Sequence, residues 1–355
     1  MKRILKPLAM VLTLAPDWLR IGQTAALVAV GLHHPDRAAV ALTDRLTAPA
    51  TETEMVGATP LTAAEIEPSP VVTPEASPTE RAVAASAMIP PPGEDGTGGK
   101  IVSQKIATGD TLLTGIAVKN RSGKSLDVAQ ALRTELTMRW QATDQPQVLI
   151  VHTHTTEGYM LYDAGYYNQG DRARKIDSTR GVCAVGNAIA DTLAAAGIAA
   201  IHDTTVHDSP KYTGAYTRSE ETVKKNLEQY PSIRVVLDIH RDAIMKDSTT
   251  LVKPTVTVNG KKAAQMMIIA GVVSTSALPN PNCAQNFALA TQWQRALGAV
   301  SGELMRPVSA VASRYNQHLH AGYLLVEVGS EGNTLDEAVY SGQLLGKTLA
   351  ELLQA

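Results

Sequence analysis

Cysteine is almost missing from this sequence: its 355 residues contain two, Cys183 and Cys283. That excludes a disulfide scaffold and a cysteine-rich zinc module, and allows a single bridge if the chain is exported. An excess of charge of either sign is also missing. With 32 basic and 34 acidic residues the net charge is −2, far from the field by which nucleic-acid binders attract a polyanion, so no nucleic-acid partner is expected. A long apolar run is missing too. In residues 1–33 two apolar stretches follow a basic start, but Asp17 and Arg20 split them, and each falls short of the roughly 18–20 residues of a spanning helix. Finally, no G-x-S-x-G elbow occurs, and Cys183 sits on an apolar helical face rather than beside a base, which argues against a serine or cysteine hydrolase.

The basic-then-apolar order of residues 1–43 fits a membrane anchor or signal segment. Residues 44–98 are rich in Thr, Ala, Glu and Gly and hold nine prolines without a sustained period. Too little apolar surface is available there to offset chain entropy, so a disordered linker is expected. An anchor followed by a tether suits a domain that stands off a surface, exported or membrane-anchored and facing outward.

From residue 99 to 355 short apolar runs alternate with helical periods. "QVLIVHTH" (147–154), "IAAIHD" (198–203), "RVVLDIH" (234–240) and "YLLVEV" (323–328) read as strands buried on both faces. Val182, Val185, Ile189 and Leu193 share a helical face that Gly197 ends. Thr217 with Glu220, and Thr334 with Glu337, have capping-box spacing. Asn259-Gly260 inside "PTVTVNGKKAAQMMIIAG" signals a hairpin of two strands. Helices are also expected over 125–141 and 283–305. The sum is an α/β fold, a three-layer αβα domain with a mostly parallel mixed central sheet.

Three of the four apolar runs end in groups able to bind or activate something at the carboxyl edge of such a sheet. They are His152, His154 and Glu157, then His240, then Glu327. His154-Thr-Thr-Glu157 places an imidazole and a carboxylate three residues apart on a turn, and His240 completes a His₂Glu set of the catalytic zinc type. Glu327, a carboxylate inside "LLVEV", is costly to bury unless paired or used, and is the candidate general base. His240 has a plain alternative as a core histidine tied to Asp238 or Asp242. His152 is either a ligand in place of His154 or a group that orients one, and it shares the face of His154 if the strand continues that far. Arg241 fits either a bidentate grip on a substrate carboxylate or a structural ion pair.

Taken in order, "VLIVHTHTTEGY", "VGNAIADTLAAAGIAAIHDTTVHDSPKYTGAYTRS", "PSIRVVLDIHRDA", "SRYNQHL" and "LLVEVGSEGNTLDEA" resemble the stage II sporulation protein P family of peptidoglycan hydrolases. More distantly the layout is similar to zinc N-acetylmuramoyl-L-alanine amidases, whose E-x-G-x-x-x-N ending is matched by Glu327, Gly329 and Asn333. The resemblance implies an amidase-like catalytic domain over 99–355 that carries Zn²⁺ and cuts the muramoyl–alanine amide, with some cleavage of stem-peptide crosslinks. It implies Glu327 as the catalytic group and His154, Glu157 and His240 as metal ligands. His152, Arg241, Asp242 and Asn333 stand around them as substrate-binding or supporting residues. Those amidases take their carboxylate ligand from near the first helix, where this chain has "DSTRGV" with Asp177 and no glutamate; Glu157 is the substitute. Implied partners are peptidoglycan, a lytic transglycosylase and membrane anchor proteins of the engulfment machinery. A stem-peptide carboxypeptidase or endopeptidase and a non-catalytic wall-binding module are the alternatives.

Overall fold

The computed structural model describes residues 91–107, 116–172, 174–177 and 179–355. The expected anchor and the linker up to residue 90 lie outside the described residues. Among the described residues, no helix is long and apolar enough to cross a membrane.

The four apolar runs form β3 (Val148–Val151), β5 (Ala200–His202), β6 (Val235–Asp242) and β12 (Tyr323–Ser330). They lie side by side and parallel, in the order β5-β3-β6-β12. Across β12 the direction reverses. There β10 (Met266–Gly271) pairs antiparallel with it, and β11 (Val308–Val311) and β2 (Val118–Asn120) follow parallel to β10. One antiparallel junction in seven strands makes the sheet mixed but mostly parallel, as expected.

Strand alternation sorts the side chains to two faces. Val148 and Ile150, Val235, Leu237 and Ile239, and Leu324, Val326 and Val328 join the main core. Covering them are α2 (Val182–Ala195), α4 (Cys283–Val300) and α5 (Leu335–Gln354). Leu149, Val151, Val236 and Tyr323 point the other way, against Val223 of α3 (Ala215–Gln229). Helices on both faces give the three layers. α5 lies close on α2 because it offers glycine at the crossing: a Cβ on Gly346 would meet Ile189 O at 2.9 Å.

Local signals explain most boundaries. Asn259 and Gly260 both have positive φ and join β8 (Thr255–Val258) to β9 (Lys261–Ala264), as a two-residue hairpin requires. The expected pair of strands is in fact three, because β10 follows after Gln265. The box at Thr334 and Glu337 caps α5. The one at Thr217 does not form: Gly214, at φ 84°, turns the chain three residues earlier and α3 begins at Ala215. The helix expected over 125–141 shrinks to α1 (Val128–Arg133). Asp127 caps its start, and at its end the Thr134 hydroxyl donates to Gln130 O. Beyond it Leu136, Met138 and Trp140 reach the core with the period of an extended chain. α4 likewise stops at Val300, five residues short, so that Leu304 and Met305 can turn inward. The lead-in segment supplies β1 (Gly99–Ser103) and β2. β1 lies between β4 (Tyr166–Tyr167) and β7 (Thr250–Lys253) in a separate three-stranded sheet.

A buried cation joins that small sheet to α5. Lys253 Nζ sits 2.7 Å from Asp163 Oδ1 and 2.8 Å from Glu337 Oε1, and the Lys253 and Glu337 side chains are each 3% exposed. Removing one partner leaves the other charge buried without compensation. Lys253→Met is expected to lower unfolding stability by about 3–5 kcal/mol, with the double variant Lys253→Met/Glu337→Gln recovering part of the loss in urea titrations.

Candidate functional site

Because β5, β3, β6 and β12 run parallel, their carboxyl ends open on one rim, where an α/β sheet places its ligand site. β3 stops at Val151, and residues 152–157 turn across the rim. Asp238 of β6 pins the turn: its carboxylate accepts from Thr153 N at 2.8 Å and from Thr153 Oγ1 at 2.7 Å. Glu157 N then closes the turn on His154 O at 3.0 Å.

His240 and Glu327 are register partners on β6 and β12. Their neighbours Ile239 and Val326 enter the main core, so both side chains project to the α3 face. His240 Nε2 is 2.9 Å from Asp238 Oδ1, and its Nδ1 is 3.6 Å from Glu157 Oε2. Glu157 Oε2 accepts from Arg241 N at 3.0 Å, while Oε1 lies 3.4 Å from Arg174 Nη2. The His154 ring is 5.3 Å from that of His240 at 84°, and stacks on Tyr212 at 4.3 Å. None of His154, Glu157, His240 and Glu327 is more than 2% exposed, so any charge on them must be met by neighbours. Burial opposes a charged His240, but the Asp238 and Glu157 carboxylates outweigh it and hold the imidazole well above its ordinary range. Burial likewise opposes ionised Glu157, yet His240, Arg174 and His154 hold its carboxyl well below the usual one. Burial is the largest influence on His154 and takes it well below. Beside Glu157 a pocket of about 270 Å³ opens between residues 158–162 and the strap that carries Lys175, Asp177 and Arg180.

The two histidines of "HTH" part company. His152 keeps the alternation of β3 and enters the α2 face, whereas the chain has already left the strand at His154, which turns to the α3 face. His152 Nδ1 lies 3.0 Å from Ile239 O, and its Nε2 is 2.8 Å from His202 Nε2. His202 Nδ1 lies 2.9 Å from Asn187 Oδ1. Among the described residues, His152, Cys183 and His202 are the one group of three His, Cys, Asp or Glu side chains whose donor atoms all lie within 4.8 Å of one another. The trio of His154, Glu157 and His240 is less tightly drawn. Burial brings His152 down to about 4 and His202 to about 3. It pushes the Cys183 thiol up to about 12, the opposite of an activated nucleophile.

The remaining candidates frame the site. Arg241 turns inward, its Nε donating to Gly158 O at 2.9 Å and its Nη1 lying 3.6 Å from Glu331 Oε2. Asp242 pairs with Arg306 at 2.8 Å. Asn333 accepts from Ser330 N and donates to Glu337 Oε2, holding the bend from β12 into α5. Sequence reasoning passed over Asp208 and Arg174. Asp208 accepts from Thr156 N, Thr156 Oγ1 and Arg174 Nη1 at 3.2, 2.6 and 2.8 Å, and Arg174 also lies over the Tyr212 ring. The only textual signal was the acidic residue after His207 in the segment that leaves β5.

Asp208→Ala strips three donors of one buried acceptor. A stability loss of about 2–3 kcal/mol is expected from urea unfolding, with Asp208→Asn losing less because an acceptor oxygen remains.

Comparison with known proteins gives the following. The family model for stage II sporulation protein P matches residues 103–350. Stage II sporulation protein P of Bacillus subtilis (strain 168) is 27% identical over 220 residues, which cover 59% of this chain and 51% of that protein. The chain thus spans about half the length of that curated relative. Among solved structures, the N-acetylmuramyl-L-alanine amidase Ami1 of Mycobacterium smegmatis aligns over 59% of this chain and 97% of its own, with a TM-score of 0.32 and 12% identity. The apo form of Ami1 from Mycobacterium abscessus aligns over 58% and 99%, with a TM-score of 0.31 and 11% identity. With its matched segment running from the end of β1 through nearly all of α5, and enclosing every residue of the rim, this chain belongs to the stage II sporulation protein P family.

Proposed function

We propose that this protein is a peptidoglycan hydrolase that cuts the amide between N-acetylmuramic acid and L-alanine. It works on the cell wall from an exported or membrane-anchored position during engulfment, beside a lytic transglycosylase and membrane anchor proteins. Family membership supports the substrate class, and the Glu327, Gly329 and Asn333 ending supports the bond. The observation that carries the reading is the setting of His240, held between the carboxylates of Asp238 and Glu157 and in register with Glu327.

A zinc ion is expected at His154, Glu157 and His240. Two imidazoles and a carboxylate are a donor set of catalytic zinc. The 3.6 Å between His240 Nδ1 and Glu157 Oε2 is near the roughly 3.3 Å that separates two ligands of a tetrahedral ion at about 2.0–2.1 Å. Asp238 against Nε2 is the carboxylate partner that orients a ligating ring. His154 fits in chemistry, and its ring centroid is 5.3 Å from that of His240. Zinc bound there supplies Lewis acidity toward water and toward the scissile carbonyl. The chain does the rest. Glu327 takes the proton of the attacking water and delivers it to the leaving nitrogen. Arg241 N and Arg174 hold Glu157 ionised and aimed at His240, and the Tyr212 ring fixes the plane of His154. Burial of all four groups strengthens each of these interactions by excluding bulk water.

Glu327→Gln is expected to abolish solubilisation of sacculi while leaving zinc stoichiometry nearly intact. Mass spectrometry of the wild-type products should show new L-alanine amino termini. Free D-alanine would instead identify a carboxypeptidase, and sacculus binding without products would identify a wall-binding module. Asp238→Asn should lower zinc affinity about 10–100-fold, read by competition with a chromophoric chelator.

A further inference from the structure

We propose that His152, Cys183 and His202 form a second metal site, for a thiophilic divalent ion such as zinc, on the α2 face of the sheet, opposite the cluster of His154, Glu157 and His240. The tautomers point there first. His152 Nδ1 faces a backbone carbonyl, Ile239 O, and His202 Nδ1 faces Asn187 Oδ1. The Ile239 carbonyl only accepts, so it draws the His152 ring proton to Nδ1; His202 does the same when Asn187 presents its Oδ1 rather than its amide nitrogen. With Asn187 so placed, the two Nε2 atoms, 2.8 Å apart, are both acceptors, and one bound ion would satisfy both.

The third donor comes from α2. Cys183 is buried, and its sulfur lies within 4.8 Å of the two ring nitrogens. Gly186, one turn on, clears the space. A Cβ there would stand 2.4 Å from His202 Nε2 and 2.9 Å from His152 Nε2, so any other residue would fill the cradle. Asn187, on the same face of α2, holds the far side of the His202 ring. Two imidazoles and a thiolate are a soft set, and with an ion at about 2.0–2.1 Å the ring nitrogens stand roughly 3.3 Å apart. The rings therefore part by about half an ångström on binding. The thiol gives its proton to solvent as the metal–sulfur bond forms, and no electron is transferred. The ion would join the ends of β3 and β5 to the first turn of α2. His152 lies two residues before His154, so the ion would fix the turn that carries His154 and Glu157.

The test is cobalt titration of the full chain, reduced and metal-free. The expected result is a thiolate-to-cobalt charge-transfer band whose full amplitude corresponds to one bound cobalt per chain, beside any cobalt held without a thiolate by His154, Glu157 and His240. Cys183→Ser and His202→Gln should each lose the band and one equivalent of bound metal. Gly186→Ala should lose them with every ligand retained, and circular dichroism would verify that these variants fold. His240→Ala and Cys283→Ser should keep the band. A wild-type protein without the band, a band that survives Cys183→Ser, or one that Cys283→Ser removes would overturn the proposal. In that case the two rings share an ordinary hydrogen bond. The outcome is separable from the hydrolase reading: a wall-digesting protein without the band refutes this site alone, and the band in a protein that digests nothing refutes only the hydrolase.

Discussion

Asp238 is a carboxylate with no access to water, and three groups converge on it. It takes two hydrogen bonds from Thr153 and stands 2.9 Å from His240 Nε2. Burial alone would favour its neutral acid, yet His240 and Thr153 hold it ionised, below its ordinary range. The turn after β3 and the ring at the end of β6 are thereby fixed to one anion. With that anion in place, His154 and Glu157 are brought over the rim, and His240 presents Nδ1 to Glu157. The arrangement depends on β3 and β6 being parallel neighbours, since only then do both chains leave the sheet at the same end.

Much of this was legible in the text. Continuous apolar runs marked the four parallel strands because strands covered on both faces have no polar side to show. Asn259-Gly260 marked its hairpin because few residue pairs accept two successive positive φ values. The placing of Glu327 and His240 on neighbouring strands accords with two buried runs each ending in a costly polar group. What escaped had another origin. Leu136, Met138 and Trp140 alternate with polar residues, yet they follow a good helical turn, and tertiary packing decided where the helix stopped. The ion pair of Arg174 with Asp208 joins a strap to a loop 34 residues away, and no spacing rule reaches across that gap. The partition of His152 from His154 depended on whether β3 ran three residues longer, a boundary that alternation alone does not reveal.

That partition gives one short motif two neighbourhoods. On the α3 side the groups are imidazoles, carboxylates and tyrosine rings, and the charges are compensated by Arg174 and the Arg241 amide. On the α2 side they are two neutral rings and a thiol, seated where a glycine leaves space. A side chain's place on the chain told less about its chemistry than the layer it entered.

The reversal of direction between β12 and β10 divides the sheet by role. Four strands discharge toward the rim that carries His154, Glu157, His240 and Glu327, while β10 and β11 empty toward the far one. The connection that leaves β10, residues 272–282, therefore emerges at the back of the molecule. Substitutions along it would act on the opposite end of the sheet, where Asn280 is buried and donates to Gly271 O to fold the connection back on its own strand.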